Sequence, residues 1–301
     1  MSCRCAAAAA LPPGPRLAFV RFGPNVGTEL FTSDPGGGER LTVFGSDGGR
    51  FPFVTPFGSA AWAPDGQQIA FPVVVGVREA RSFGHPETAI ATVAADGGAP
   101  EVLAGTEGGA SPVYSSDGER LAYTRRRIRY RPIGREGVER AFDSSSVWLA
   151  DLGTGERRRL TPWRNGLHAF PSSFSPDGGL LAVTIDPPAG PPRAVVISLV
   201  SGARTVLAEN ALEPVFSPDG SRLAFLRGPR RVTTRRADRT SPRNVWREAA
   251  IFTAAASGAA PRLVKRTPHA TEVYPRWDPS GQRHLDDRAG RTREDDPIVE
   301  P

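Results

Sequence analysis

Four aspartates recur in one short context along the 301-residue chain: Asp65, Asp117, Asp177 and Asp219, each followed by glycine. Carboxylates in such numbers are raw material for general acid–base catalysis or a calcium site. Each nevertheless stands in its own copy of a turn of the form Ala/Ser, Pro/Ser, Asp, Gly. In such a turn, aspartate bonds its own backbone and tolerates the geometry, so the structural use is adopted. The four histidines, His85, His168, His269 and His284, show no i, i+4 pairing and no neighbouring cysteine. His168 and His269 stand in equivalent connections, where a radial arrangement of the repeats could bring them together near the axis, but the favoured reading is partly exposed loop histidines. Cys3 and Cys5 are too close for a fold-stabilising bridge and too few for a zinc site. No Gly-x-Ser-x-Gly nucleophile elbow occurs, and no glycine-rich phosphate loop follows a strand and opens a helix. The reading assigns no catalytic residue, no metal ligand and no cofactor.

The informative chemistry is cationic. Of 38 basic residues only Lys265 is lysine, which is a coding bias more simply than a binding adaptation, so distribution matters more than total. Two stretches concentrate the arginines. Residues Arg125 to Arg140 hold seven arginines against Glu136 and Glu139, and Arg227 to Glu248 hold eight against Asp238 and Glu248. They are read as basic insertions on a mildly acidic body. The candidate contact residues are Arg125, Arg126, Arg127, Arg129, Arg131, Arg230, Arg231, Arg235 and Arg236. Their planar guanidinium forks suit carboxylates or phosphates. The bland alternative is a pair of solvated, mobile loops.

The elements that must carry these insertions repeat. FSPDGSRLAF (Phe216 to Phe225) returns as WAPDGQQIAF from Trp62, YSSDGERLAY from Tyr114 and FSPDGGLLAV from Phe174, and in decayed form as WDPSGQRHLD from Trp277. Each reads as strand, tight turn, strand, and predicts positive φ at Gly66, Gly118, Gly178 and Gly220. The aromatics Trp62, Tyr114, Phe174, Phe216 and Trp277 share one register position, which reads as core packing. Between the copies lie further hairpins, such as VWLADLGTGERRRLT from Val147. Labelling the strands of a unit a, b, c and d, with the aspartate turn between a and b, five of each are counted. Both basic insertions then fall between b and c, on one face. They are two units apart, on either side of a short proline-rich loop, Ile185 to Arg193, which predicts a shallow saddle between positive walls.

Four-stranded antiparallel sheets repeated in this way are β-propeller blades. The recurring Ser-Pro-Asp-Gly followed by Leu-Ala-Phe resembles the TolB-like, PD40 or WD40-like, β-propeller repeat family, over roughly Pro12 to Gly281. The expected fold is all-β: a single propeller of five counted blades, or six if the chain is truncated. Pairing of the C-terminal strand near Val273 to Trp277 with Arg16 to Arg21 would close it. The expected domains are a disordered segment 1–11, the propeller over 12–282 and a disordered charged tail over 283–301.

The resemblance implies a bacterial scaffold for protein contacts in the periplasm or outside the cell, although the start, MSCRCAAAAALPPG, is weak as a secretion signal. No apolar run reaches the length of a membrane span. The expected partner is an acidic protein, ranked above nucleic acid, and the chain is read as a monomer without catalytic machinery of its own. Two alternatives stay open. One is a propeller lyase or hydrolase acting on a polyanionic saccharide, and the other is the propeller of a prolyl-oligopeptidase-like peptidase.

Overall fold

In a computed structural model of the chain, the structure describes residues 16–23, 27–34, 41–45, 53–54, 60–80, 83–133, 137–228, 230–234, 243–247, 249–266, 271–277 and 284–289. All regular structure among them is β. The chain divides into two compact units, Met1–Pro171 and Ser172–Pro301.

In the first unit, β1 (Leu17–Gly23), β2 (Gly27–Ser33) and β3 (Leu41–Gly45) form a three-stranded antiparallel sheet. The next sheet holds β4 (Phe53–Val54), β5 (Ala61–Trp62), β6 (Gln68–Ala80), β7 (Phe83–Ala94) and β8 (Glu101–Val102). The third is a full blade of β9 (Gly109–Tyr114), β10 (Arg120–Ile133), β11 (Gly137–Asp151) and β12 (Arg157–Arg159).

The unit boundary falls within β13 (His168–Phe174), which opens the sheet of β14 (Leu180–Asp186), β15 (Arg193–Ser198) and β16 (Arg204–Glu209). In the second unit, β17 (Ala211–Phe216) and β18 (Arg222–Arg227) are followed by a separate hairpin, β19 (Arg230–Thr234) and β20 (Arg243–Arg247). β21 (Ala250–Ala255) and β22 (Arg262–Lys265) then complete the blade. β23 (Thr271–Trp277) pairs with β24 (His284–Ala289).

The Leu-Ala-aromatic signature is explained by packing between successive sheets. Side chains alternate across a strand, so Ile69 and Phe71 face one side of β6 and Ala70 the other. Ile69 and Phe71 are fully buried against Leu30 and Val43, while Ala70 lies under Leu121 and Tyr123 of the next blade. The second unit repeats the arrangement, with Ala182 under Leu223 and Phe225. The central alanine is small because its neighbour's two large side chains occupy that space. The aromatics that end strand a join these cores, with Trp62 and Tyr114 packed against them and Phe216 buried in one.

The aspartate turns have the expected form. Gly66, Gly118, Gly178 and Gly220 take φ of 70°, 75°, 68° and 71°. In the third, fourth and fifth sheets the preceding serine closes the turn. Ser217 Oγ accepts from Arg222 N–H at 3.0 Å and donates to Asp219, whose carboxylate accepts from the Ser221 N–H and hydroxyl. Ser115 with Asp117 and Ser175 with Asp177 repeat the contacts. These bonds, led by the serine hydroxyl, hold Asp117 and Asp177 below the ordinary carboxylate value and bring Asp219 down to about 2. The folded value lies below the unfolded one, so the linked stability is present above about pH 4 and is lost as pH falls toward about 2. Ser217→Ala is expected to raise the Asp219 titration midpoint toward 3.8, read by NMR of the side-chain carboxyl carbon. An unmoved midpoint would remove the hydroxyl as the cause.

Two expectations are corrected. The stretches between b and c, read as loops, are β-ribbons: β10 and β11 pair continuously from Arg120↔Asp151 to Ile133↔Gly137. A similar ribbon that the sequence reading left unnoticed is made by β6 and β7, from Gln68↔Ala94 to Ala80↔Phe83. The charged tail, expected to be disordered from residue 283, contributes β24. β23 pairs with β24, and β1 ladders to β2. Residues 1–15 and 290–301, which include most of both expected disordered segments, lie outside the described residues.

Candidate functional site

The β10–β11 ribbon carries the densest described run of arginine. Its sequence, RLAYTRRRIRYRPI, has the apolar alternation of a blade strand only as far as Thr124. Beyond that point the hydrogen-bonded ladder to β11 holds it extended. Arg125, Arg127 and Arg129 share one face, the first two with their partners Ser146 and Ser144, while Arg126 and Ile128 share the other with Ser145 and Asp143. A bulge follows, with Arg129 opposite Phe142 but Tyr130 opposite Arg140, which leaves Ala141 as the extra residue.

The foot of the ribbon is held firmly. On the β11 side, Ser144 Oγ donates to Leu167 O at 3.0 Å, Ser145 Oγ accepts from Ala169 N–H at 3.1 Å, and Ser146 Oγ donates to Thr161 O. The Asp143 N–H, last on that edge, donates to Asn165 Oδ1 at 3.0 Å. On the β10 side, β9 pairs as far as Arg125↔Gly109, and the Arg126 N–H donates to Gly108 O at 2.8 Å. The serines Ser144 to Ser146 are all buried. Their short polar side chains satisfy the backbone of the adjoining connection, where an apolar residue would leave it unpaired.

Two of the expected contact arginines are engaged within the fold. Arg125 stacks its guanidinium 5.1 Å from the Trp148 ring centroid and pairs with Glu107 at 3.2 Å. Arg126 grips Asp143 with two hydrogen bonds, Nε to Oδ1 at 3.1 Å and Nη2 to Oδ2 at 2.8 Å. Counting charge within 125–140 missed both, because Glu107 and Asp143 lie outside that range. Arg127 and Arg129 are exposed.

Arg131 stands opposite Glu139 in the ladder, Arg230 opposite Arg247, and Arg231 opposite Trp246. Arg235 and Arg236 lie outside the described residues. The two basic insertions belong to different units.

Of the two histidines read as standing in equivalent connections, His168 lies within the described residues. His168 Nδ1 lies 3.4 Å from Ser145 Oγ, which already serves backbone groups of Ala169, so the pair is a structural contact. His269 lies outside the described residues. Among the described residues no group of three His, Cys, Asp or Glu is placed to hold a metal ion. Tyr114 has its hydroxyl buried and without a hydrogen-bond partner, and burial, reinforced by the charge of Asp65, pushes its pKa up to about 12. No described helix is long and apolar enough to cross a membrane.

No protein-family profile matches the chain and no curated protein matches it. Solved structures do. TolB from Acinetobacter baumannii aligns at 20% identity over 91% of this chain and 60% of its own, with a TM-score of 0.56. The chain thus spans about three fifths of that protein's length. Oligogalacturonate lyase from Vibrio parahaemolyticus aligns at 11% identity, over 88% of this chain and 69% of its own, with a TM-score of 0.55. A prolyl endopeptidase aligns at 15% identity, over 87% of this chain and 36% of its own, with a TM-score of 0.54. The fold is that of a TolB-like, WD40-like β-propeller.

Proposed function

We propose that this chain is a binding module that engages an acidic protein partner through the β10–β11 ribbon. The observation that carries this reading is the exposure of Arg127 and Arg129 on the two-stranded β10–β11 arm. The aspartates that first suggest chemistry are occupied with their own turns, which supports a surface that recognises a partner rather than one that turns over a substrate. The fold is shared with TolB, an oligogalacturonate lyase and a prolyl endopeptidase and does not choose among them.

A saccharide reading keeps one supporting feature, since arginine also suits uronate carboxylates. Titration of the full chain with polyglutamate, polygalacturonate and oligo-dT, at low and at physiological salt, separates the readings. Polyglutamate is expected to bind tightest and to weaken as salt rises, because exposed charges are screened over about 8 Å at physiological ionic strength. Unsaturated uronate released from polygalacturonate would establish the lyase instead. Binding indifferent to salt would remove the arginines from the contact.

A further inference from the structure

Among the described residues, one edge of the ribbon is covered along its foot and the other has no paired strand beyond Arg126. The β11 edge is covered by the connection between β12 and β13, as far as the Asp143 N–H on Asn165. The β10 edge loses β9 at Arg125, and its last partner among the described residues is Gly108 O, which accepts from the Arg126 N–H. That bond fixes the parity of the strand: even-numbered residues direct their N–H and C=O away from β11. The next outward positions are Ile128, Tyr130 and Pro132. The bulge inserts its extra residue into β11, so the parity of β10 continues through it. Pro132, which has no N–H, fits an outward position of an edge strand.

Exposed edges of this kind are templates for a further strand. The side chains that flank this edge decide which strand it accepts. Arg127 and Arg129 are both exposed and stand on one face about 7 Å apart, twice the rise per residue. An extended segment with acidic residues at every second position has the same spacing, and directly opposed side chains in adjacent strands approach within about 5.5 Å. A second copy of this edge would instead bring arginine against arginine.

We infer that the β10 edge from Ile128 onward accepts an extended acidic segment of a partner protein as an added strand, with its alternate carboxylates against Arg127 and Arg129. Backbone bonds to Ile128 and Tyr130 supply the pairing, and the arginines supply the selectivity. This inference rests on the protein-binding reading and narrows it to one edge and one geometry.

The probe is a fluorescein-labelled nonapeptide, Glu-Thr-Glu-Val-Glu-Thr-Glu-Val-Glu, titrated by anisotropy against the full chain. Two further peptides carry N-methyl groups on alternate residues, one on the odd and one on the even positions. A strand presents the donors of one parity to its neighbour, so one methylated peptide is expected to lose about tenfold in affinity and the other to keep it. On the protein side, Ile128→Pro removes an outward donor without touching charge, and the same loss of about tenfold is expected. Arg127→Ser with Arg129→Ser is expected to abolish binding of the acidic peptide while circular dichroism stays unchanged. The methylated pair tests the wild-type chain, so the outcome does not depend on any variant folding. If all three peptides bind equally, strand addition is overturned while an electrostatic protein contact stands. If polygalacturonate or oligo-dT displaces the peptide at lower charge concentration, the protein-binding reading fails as well.

Discussion

Gly108→Ala is expected to lower the stability of the chain by about 2–4 kcal/mol. Gly108 has a φ of +74°, where an L side chain is strained, and a Cβ there would lie 2.6 Å from Arg126 O. Its N–H donates to Thr88 O at 2.7 Å and its carbonyl accepts from Arg126 N–H at 2.8 Å, so it ties β7 to the foot of the β10–β11 ribbon. Relief of the clash must move β10 and weaken these bonds. Gly155→Ala provides the comparison, because Gly155 has φ of +75° with nothing within 4 Å of the added Cβ. It carries the backbone strain alone and is expected to lose about 1 kcal/mol. Urea denaturation of both variants reads the difference. Equal losses would show that the contact with Arg126 carries no weight.

Leu223→Ala is expected to cost about 2–5 kcal/mol, the usual range for emptying a well-packed leucine site. Leu223 is fully buried against Ala182 in the core between the sheet of β14 and the sheet of β18. The opposite change, Ala182→Leu, forces extra volume under Leu223 and Phe225 and is expected to cost about 1–3 kcal/mol. Residues in contact do not act independently, so the double variant, which exchanges large and small, is expected to lose less than the sum by about 1 kcal/mol. Thermal unfolding of the three variants tests this. Strict additivity would mean that Ala182 and Leu223 do not share one packing site, and the explanation of the repeated Leu-Ala-aromatic pattern would fall with it.

The sequence by itself determined the blades. A turn of Ser-Pro-Asp-Gly is specified within four residues, because proline presets φ, aspartate bonds its own backbone and glycine accepts positive φ. The flanking strands declare themselves by alternation, since one face of each must be apolar. These signals are local, and strands read near Leu17, Ile69, Leu121, Leu181 and Leu223 lie within β1, β6, β10, β14 and β18. Residue spacing alone also showed that the turn aspartates serve the fold.

The tertiary structure alone decided the extent and chemistry of the ribbon. RRRIRYRP alternates arginine with Ile128, Tyr130 and Pro132, but its charge density and its proline read locally as a solvated insertion. It is a strand because each residue finds a partner on β11, as far as Gly137. The charge balance is equally non-local. Arg125 and Arg126 are neutralised by Glu107 and Asp143, 18 and 17 residues away, brought close by the d-to-a connection and by the ladder. The same holds for β24, whose sequence HLDDRA has little strand character and which is extended because β23 offers it an edge. Hydrogen-bond pairing between distant segments has no signature in either segment read alone, and on this chain that pairing decides where the arginines of β10 stand.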